Sequence, residues 1–386
     1  MSAIAAVVAL AERPIPRGLA ASLGRSLSHH GSARVLHDGI DGVVLELGSE
    51  RVSDAGRPGR STLTALDAPL ASSPDALAEV LARACGVGTE RLSTVMPDEC
   101  AAFVWERETR TAHLLRDPFG VRPLYWATSP DQWLVVASEL QAILRTGLIS
   151  FVPDWQCLHD LVTRNFAHWH RVPLTSIRAV SPGSRVRITR TGGSEERYWS
   201  FEPLPIRRRR LRDYEAEFRE LLATAVRRRL SRRSSCAIYL SGGLDSSSIT
   251  ATAGAVLRGG LEVDVGAFHA SFEDAEAAEA RWARLAAGAL GARVEEVPQR
   301  RASRLAEAQD EIRFHLHPIV DSIGHVTRSI ARAFRAKGYG WALHGYPADD
   351  MLNGGVDSLD ATLAGLRPGA LVRVALRLGT LRSVAR

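Results

Sequence analysis

The sequence predicts an α/β protein of two domains, a β-rich layered domain over residues 1–205 and a domain built on a parallel sheet over residues 206–386. Three observations carry this. The chain has 386 residues, 45% of them apolar, more than one hydrophobic core usually organises and enough for two. Its first half consists of short apolar runs broken by Gly, Pro, Asp and Ser, the pattern of many strands joined by turns. From Cys236 onward, short fully apolar runs alternate with Ala/Arg/Glu-rich helical stretches, as buried parallel strands alternate with crossover helices.

The elements follow in order. Residues 3–11 are apolar without a basic flank and far too short to cross a bilayer, so they read as an early strand of a soluble, cytoplasmic protein with no membrane partner. Residues 43–47, 102–105, 133–137 and 185–188 are the clearest further strands, and 75–84 and 139–144 are helical. Residues 201–210 combine two prolines with four consecutive arginines, which favours an extended connection and sets the domain boundary. A helix over 213–230 opens the second domain, with Tyr214, Phe218, Leu221, Leu222 and Ala225 on one face and Asp213, Glu215 and Glu217 at the favourable end of its dipole. Strands at 236–240 and 263–268, helices to 257 and 290, a helix at 326–337 and the apolar run 341–343 complete the alternation.

The net charge of +6 concentrates in Arg207 to Arg210 and in the run from Arg227 to Arg233. No aromatic residues interleave them for base stacking and no nucleic-acid fold signature accompanies them, so they read as a solvated face beside the linker. Cys85, Cys100, Cys157 and Cys236 form no CxxC pair and read as reduced, buried thiols. The pairs His168/His170 and His315/His317 lack a further ligand at structural-zinc spacing, and alternation in a half-buried strand accounts for them.

The chemistry concentrates at one loop. The apolar strand ending in Tyr239 and Leu240 runs directly into Ser241-Gly242-Gly243-Leu244-Asp245-Ser246-Ser247 and then a helix, placing the loop at the carboxyl end of a parallel strand, where α/β sheets bind ligands. Gly242 and Gly243 admit an anion close to the backbone. Ser241, Ser246 and Ser247 add hydroxyls, and the helix start supplies N–H groups and positive potential. Asp245 repels phosphate unless a cation lies between them, which implies Mg²⁺. The loop lacks the lysine of the GxxxxGK[ST] type, so chemistry at the α-phosphate of ATP, with pyrophosphate held by the loop, is the expectation.

Residues 241–246 resemble the SGGxDS pyrophosphate loop of the N-type ATP pyrophosphatases, and the surrounding chain resembles the asparagine synthetase superfamily. Arg116-Asp-Pro-Phe-Gly-Val-Arg-Pro-Leu-Tyr125, Ala137-Ser-Glu-Leu140, Val180-Ser-Pro-Gly183, Arg197-Tyr-Trp199 and Glu279-Ala-Arg-Trp-Ala283 occur in the family's order. The resemblance implies an Ntn-type αββα glutamine amidotransferase-like domain followed by an adenine-nucleotide α-hydrolase-like ATP-pyrophosphatase domain. Leu343-His-Gly-Tyr-Pro-Ala-Asp-Asp350, with Asn353-Gly-Gly355 after it, resembles the family's SGxGxDE segment. By that likeness His344 and Gly345 lie against the nucleotide and Asp349 shares magnesium with Asp245, Asp350 being the alternative ligand. His344 replaces Ser, Pro347 replaces Gly and Asp350 replaces Glu; Pro347 fixes φ and removes a donor. Taken as residues alone, the segment also fits a helix start with two acids favoured by the dipole.

Glutamine-dependent members use a Cys exposed by removal of the initiator Met, whose own α-amine is the base. Position 2 here is Ser, so the resemblance implies a glutaminase fold without glutaminase activity, unless Ser2 substitutes as nucleophile. The amine then comes from the substrate, as in lasso-peptide cyclases and β-lactam synthetases, both of which form an acyl-adenylate with release of pyrophosphate. The expectation is a macrolactam cyclase acting on a peptide, with a precursor peptide and its processing or leader-binding proteins as partners. A β-lactam-type small amino-acid-like carboxylate, a glutamine-hydrolysing asparagine synthetase homologue and a non-catalytic peptide-binding scaffold are the other readings. Residues 363–386 end in an Arg/Leu/Val helical pattern where the family continues with a helical region carrying a catalytic Lys, so the expectation is a domain truncated at Arg386, completed by a partner, or inactive.

Overall fold

The computed structural model describes residues 2–48, 62–68, 73–87, 91–163, 171–202, 210–231, 234–272, 277–299, 309, 312, 316 and 324–346. The chain divides into two compact units, Met1–Arg208 with Arg301–His325 and Arg209–Arg300 with Val326–Arg386.

In the first unit the elements run β1 (Ala3–Ala9), α1 (Leu19–Ser26), β2 (Ser32–Gly39), β3 (Gly42–Gly48), β4 (Thr62–Asp67), α2 (Pro74–Val87), α3 (Leu92–Val95), β5 (Ala101–Glu106) and β6 (Thr111–Arg116). There follow β7 (Tyr125–Thr128), β8 (Trp133–Ala137), α4 (Leu140–Arg145), α5 (Trp155–Val162), β9 (Arg178–Ala179), β10 (Ser184–Thr189) and β11 (Gly192–Arg197). The strands form two sheets, in the orders β2-β3-β1-β8-β7-β9 and β11-β10-β6-β5-β4, with antiparallel neighbours throughout.

The continuous apolar run of β1 explains the layering, because successive side chains point to opposite faces of a strand. Ile4, Ala6 and Val8 meet Phe103, Trp105, Leu114 and Val186 of the other sheet, and this is the core between the sheets. Ala3, Ala5, Val7 and Ala9 face outward instead, onto Leu19 and Leu23 of α1 and Leu140 and Ile143 of α4. Ala102, Val104 and Leu115 do the same for Ala78 and Leu81 of α2 and Leu92 of α3. The result is a four-layer αββα sandwich.

The separated fragments 116–125, 180–183 and 197–199 meet in one knot. The buried Asp117 carboxylate accepts from the backbone N–H groups of Cys100, Phe119, Val121 and Arg122, at 2.9–3.3 Å. The Arg116 guanidinium donates to the carbonyls of Gly120, Arg122 and Val180, and the Tyr198 hydroxyl to that of Arg116. These residues hold the bend together.

The second unit contains α6 (Leu211–Leu230), β12 (Ser235–Tyr239), α7 (Leu244–Arg258), β13 (Asp264–Phe272), α8 (Ala277–Gly288), β14 (Val294–Gln299), α9 (Gly324–Ala336) and β15 (Ala342–Leu343). Its sheet runs β14-β13-β12-β15, all neighbours parallel. Val226, Leu230, Ala253 and Val256 of α6 and α7 pack with Cys236 and Ile238, while Val326 and Ile330 of α9 pack with Ala237, Phe268 and Ala270 on the alternate side-chain set. Ala283 and Ala287 of α8 meet Leu240 and Ala267.

The helix at 213–230 forms, and the expected face packs only in part: Leu222 lies against the core. Tyr214, Phe218 and Leu221 keep 40%, 46% and 64% of their surface exposed, and the helix is buried through Val226 and Leu230 near its end. Periodicity fixed the helix; which turns reach the sheet depends on where the chain must enter β12. All four cysteines are free and buried. The pairs His168/His170 and His315/His317, and the arginines at 207–209 and 232–233, lie outside the described residues. Among the described residues no helix is long and apolar enough to cross a membrane.

Candidate active site

In the second unit β12 lies between β13 and β15, so the loop after it opens at the carboxyl edge between two parallel neighbours. Tyr239 ends the strand, and the buried Leu240 donates its N–H to the Phe268 carbonyl at 2.8 Å, carrying the sheet one residue further. The chain then turns sharply at Gly242, with φ +91°, and Gly243 caps α7. A Cβ at Gly242 would collide with the backbone carbonyl of Glu279 in the first turn of α8, so only glycine fits in both conformation and space.

The serines tie the loop to the helix. Ser241 Oγ and Ser246 Oγ are 3.0 Å apart, Ser241 Oγ accepts from the Gly243 N–H at 3.3 Å, and Ser246 Oγ is 3.3 Å from both the Ser241 N and the Gly243 carbonyl. Ser246 is buried, Ser241 is exposed, and Ser247 donates the first helical bond to the Gly243 carbonyl at 3.1 Å. The N–H groups of Leu244, Asp245 and Ser246 therefore open the helix with no helical carbonyl one turn behind them, which is an anion site.

β15 brings the second segment to the same edge. A Cβ at Gly345 would lie 2.8 Å from both Asp245 Cβ and the Ser246 N. The backbone after β15 thus lies against the Asp245 Cβ and the first turn of α7, with His344 exposed. Asp349 and Asp350 lie outside the described residues, as does Pro347. Asp245 is half-buried on the first turn of α7 and offers a hard oxygen ligand suited to Mg²⁺. Gly242 and Gly345 are close-approach positions beside the start of α7, and the open N–H groups there suit a phosphate.

Two neighbours of the loop are not evident from the loop's own sequence. Glu279 supplies the wall behind Gly242, and its charge adds to burial in raising the Tyr239 hydroxyl pKa. His269, buried at the same end of β13, lies with Nδ1 2.8 Å from the Leu240 carbonyl. A carbonyl only accepts, so Nδ1 carries the proton. Glu279 follows β13 in the first turn of α8 and belongs to the fragment Glu279-Ala-Arg-Trp-Ala283, whereas His269 lies within β13 and carries no motif of its own.

In the first unit, Ser2 precedes β1 and donates to Asp67 Oδ1 at 2.5 Å. Burial pushes the Asp67 carboxyl up, against the opposing pull of Arg122, whose guanidinium lies 3.6 Å away, and of the Ser2 hydroxyl. Two cysteine thiols of this unit are held protonated: burial pushes Cys85 up to about 12 and raises Cys100 well above the ordinary range. Both are buried, without the access a nucleophilic thiol needs.

A family model described as asparagine synthase matches residues 217–383, and one described as a glutamine amidotransferase domain matches residues 60–199. Among curated proteins, an amidase, chyE, of Penicillium rubens is 28% identical over 271 residues, covering 66% of this chain and 39% of that protein. Amidase chry2 of Gibberella zeae is 26% identical, covering 68% and 40%. Asparagine synthetase [glutamine-hydrolyzing] 2 of Bacillus subtilis is 28% identical over 158 residues, covering 38% and 21%. The chain thus spans 39% and 40% of the two fungal relatives' lengths. Among solved structures, the glutamine phosphoribosylpyrophosphate amidotransferase of B. subtilis, complexed with ADP and GMP, matches at TM-score 0.35 and 14% identity, covering 89% of this chain and 80% of that one.

Proposed function

Since the chain belongs to the asparagine synthetase superfamily, we propose that it is an ATP-dependent amide-forming ligase whose substrate is a peptide carrying both the carboxylate and the amine. The observation that carries the reading is the loop at the end of β12, where Gly242 is pressed against Glu279 and Gly345 against Asp245. In this reading the substrate carboxylate attacks the α-phosphorus of ATP and pyrophosphate leaves. The amine then displaces AMP from the acyl carbon, losing one proton as the amide forms. The open N–H groups of Leu244, Asp245 and Ser246 and the Ser241 hydroxyl hold the leaving pyrophosphate, and donors already aimed at developing charge lower the barrier without reorganising. Asp245, with Asp349 or Asp350, would hold magnesium, which neutralises charge on the phosphates. Holding amine and adenylate on one chain supplies the remaining rate by proximity.

The source of the amine distinguishes this reading from glutamine hydrolysis. Ser stands before β1 where glutaminase members carry Cys, and its hydroxyl is engaged by Asp67. A macrolactam of the lasso-peptide kind, made on a precursor peptide presented by its processing proteins, is the product class proposed. The test supplies Mg²⁺, ATP and a peptide with a free N-terminal amine and an Asp or Glu side chain. AMP, pyrophosphate and a peptide lighter by one water are expected; ADP and phosphate as sole nucleotide products sink the proposal. A small amino-acid-like acid is the alternative substrate. Dehydration of such an acid, with peptides untouched, would select it, whereas peptide binding without adenylate formation would mark a scaffold.

A further inference from the structure

We propose that His29, His30 and Glu139 form a binding site for one divalent transition-metal ion of the zinc class, separate from the nucleotide loop. The Nε2 atoms of His29 and His30 each lie 2.7 Å from the same carboxylate oxygen, Glu139 Oε1. One ligand atom from each residue lies within 4.8 Å of the others, and this is the one such group found among the described residues. Two imidazoles and a carboxylate are the donor set that zinc takes in sites keeping open positions for water or substrate.

The arrangement is fixed from the core outward. His29 and His30 sit in the single tight turn Ser28–His30, directly after Leu27, which is fully buried. That turn brings the rings of consecutive residues together, 4.3 Å between centroids, where an extended chain would send them to opposite faces. Glu139 lies between β8 and α4, and both flanks are anchored. Ser138 exchanges bonds with Ile4, its N–H to the Ile4 carbonyl and its Oγ from the Ile4 N–H, each 3.0 Å, while Leu140 and Ile143 are buried behind it.

Tetrahedral bonds of about 2.0–2.1 Å set neighbouring donors roughly 3.4 Å apart, so an ion needs the carboxylate to withdraw by about 0.7 Å, within reach of rotation about the Glu139 side chain. The His29 side chain is 39% exposed, which leaves solvent access for the remaining ligand positions. The alternative is an ion-free pair of imidazole N–H groups sharing one carboxylate oxygen, and the experiment separates the two.

The full chain, stripped with a chelator and free of nucleotide, is titrated with Zn²⁺ by calorimetry and with Co²⁺ by absorption. One equivalent is expected, with a cobalt spectrum of nitrogen and oxygen ligands and no thiolate charge-transfer band. Glu139→Gln and His30→Ala should each weaken binding by at least about 100-fold, more than loss of an outer-sphere contact would. Should either variant fail to fold, His29→Ala, the more exposed position, carries the same expectation, and the cobalt spectrum needs no variant. Absence of stoichiometric binding, a thiolate band, or binding that persists in these variants and disappears on replacing His168 and His170 or His315 and His317 would overturn the proposal. Because ATP is absent, the outcome is independent of the ligase reading.

Discussion

Replacing Gly242 by Ala tests whether the first turn of α8 sets the shape of the nucleotide loop. Gly242 sits at φ +91°, where a side chain costs about 1–2 kcal/mol of backbone strain. The added Cβ would also overlap the Glu279 carbonyl, a backbone atom that cannot rotate aside. Overpacking of this kind costs about 1–3 kcal/mol, so the total is about 2–5 kcal/mol. Gly260 supplies the control: its φ is +95° and a Cβ there meets nothing within 4 Å, so Gly260→Ala carries the strain alone. Urea unfolding of the full chain, with the transition of this unit identified by hydrogen exchange at α7 amides, should place Gly242→Ala below Gly260→Ala by about 1–3 kcal/mol. Magnesium-ATP binding, measured by calorimetry, should weaken in the first variant and hold in the second. Equal destabilisation with undiminished nucleotide binding in Gly242→Ala would refute the argument that α8 walls the loop.

Further outcomes follow from single groups. Asp245→Asn should leave the fold intact and slow pyrophosphate release by about 10²–10³-fold, and Asp349→Asn should do the same; near-normal turnover in the latter would point to Asp350 as the second ligand. Glutamine, supplied with ATP and an acid, should yield no glutamate, because Ser2 stands in the place of Cys; glutamate that disappears in Ser2→Ala would show that site to be active. Burial of His113 in β6 lowers its pKa from 6.5, outweighing the opposing pull of Glu106. The unfolded chain then takes up this proton first, so stability is full above 6.5 and is lost as pH falls through 6.5 toward the folded value. The pH slope of the urea midpoint below neutrality should flatten in His113→Gln, and an unchanged slope would assign the effect to another histidine.

Much of the architecture is legible locally. The run Ala3–Ala9 is apolar at every position because both faces of β1 are covered, and the strands at 102–105, 133–137 and 185–188 carry enough alternation or apolar length to be read alone. Two edge strands are not. β14 reads VEEVPQ and β11 reads GGSEER; their backbone bonds to a neighbour hold them, and such bonds leave no mark in hydrophobic pattern.

By itself the sequence determined two alternating regimes of hydrophobicity, the loop from Ser241 to Ser247 and the acidic pair at 349 and 350, because periodicity and turn chemistry are properties of neighbouring residues. Tertiary structure alone decided which distant residues share a space. Gly345 against Asp245 follows from the parallel pairing of β15 with β12, and Glu279 against Gly242 from where α8 packs. Likewise His30 meets Glu139 across 109 residues because one tight turn and one strand end converge beside β1. Such contacts are set by how sheets and helices pack, and packing is a sum over the whole core that no window of sequence contains.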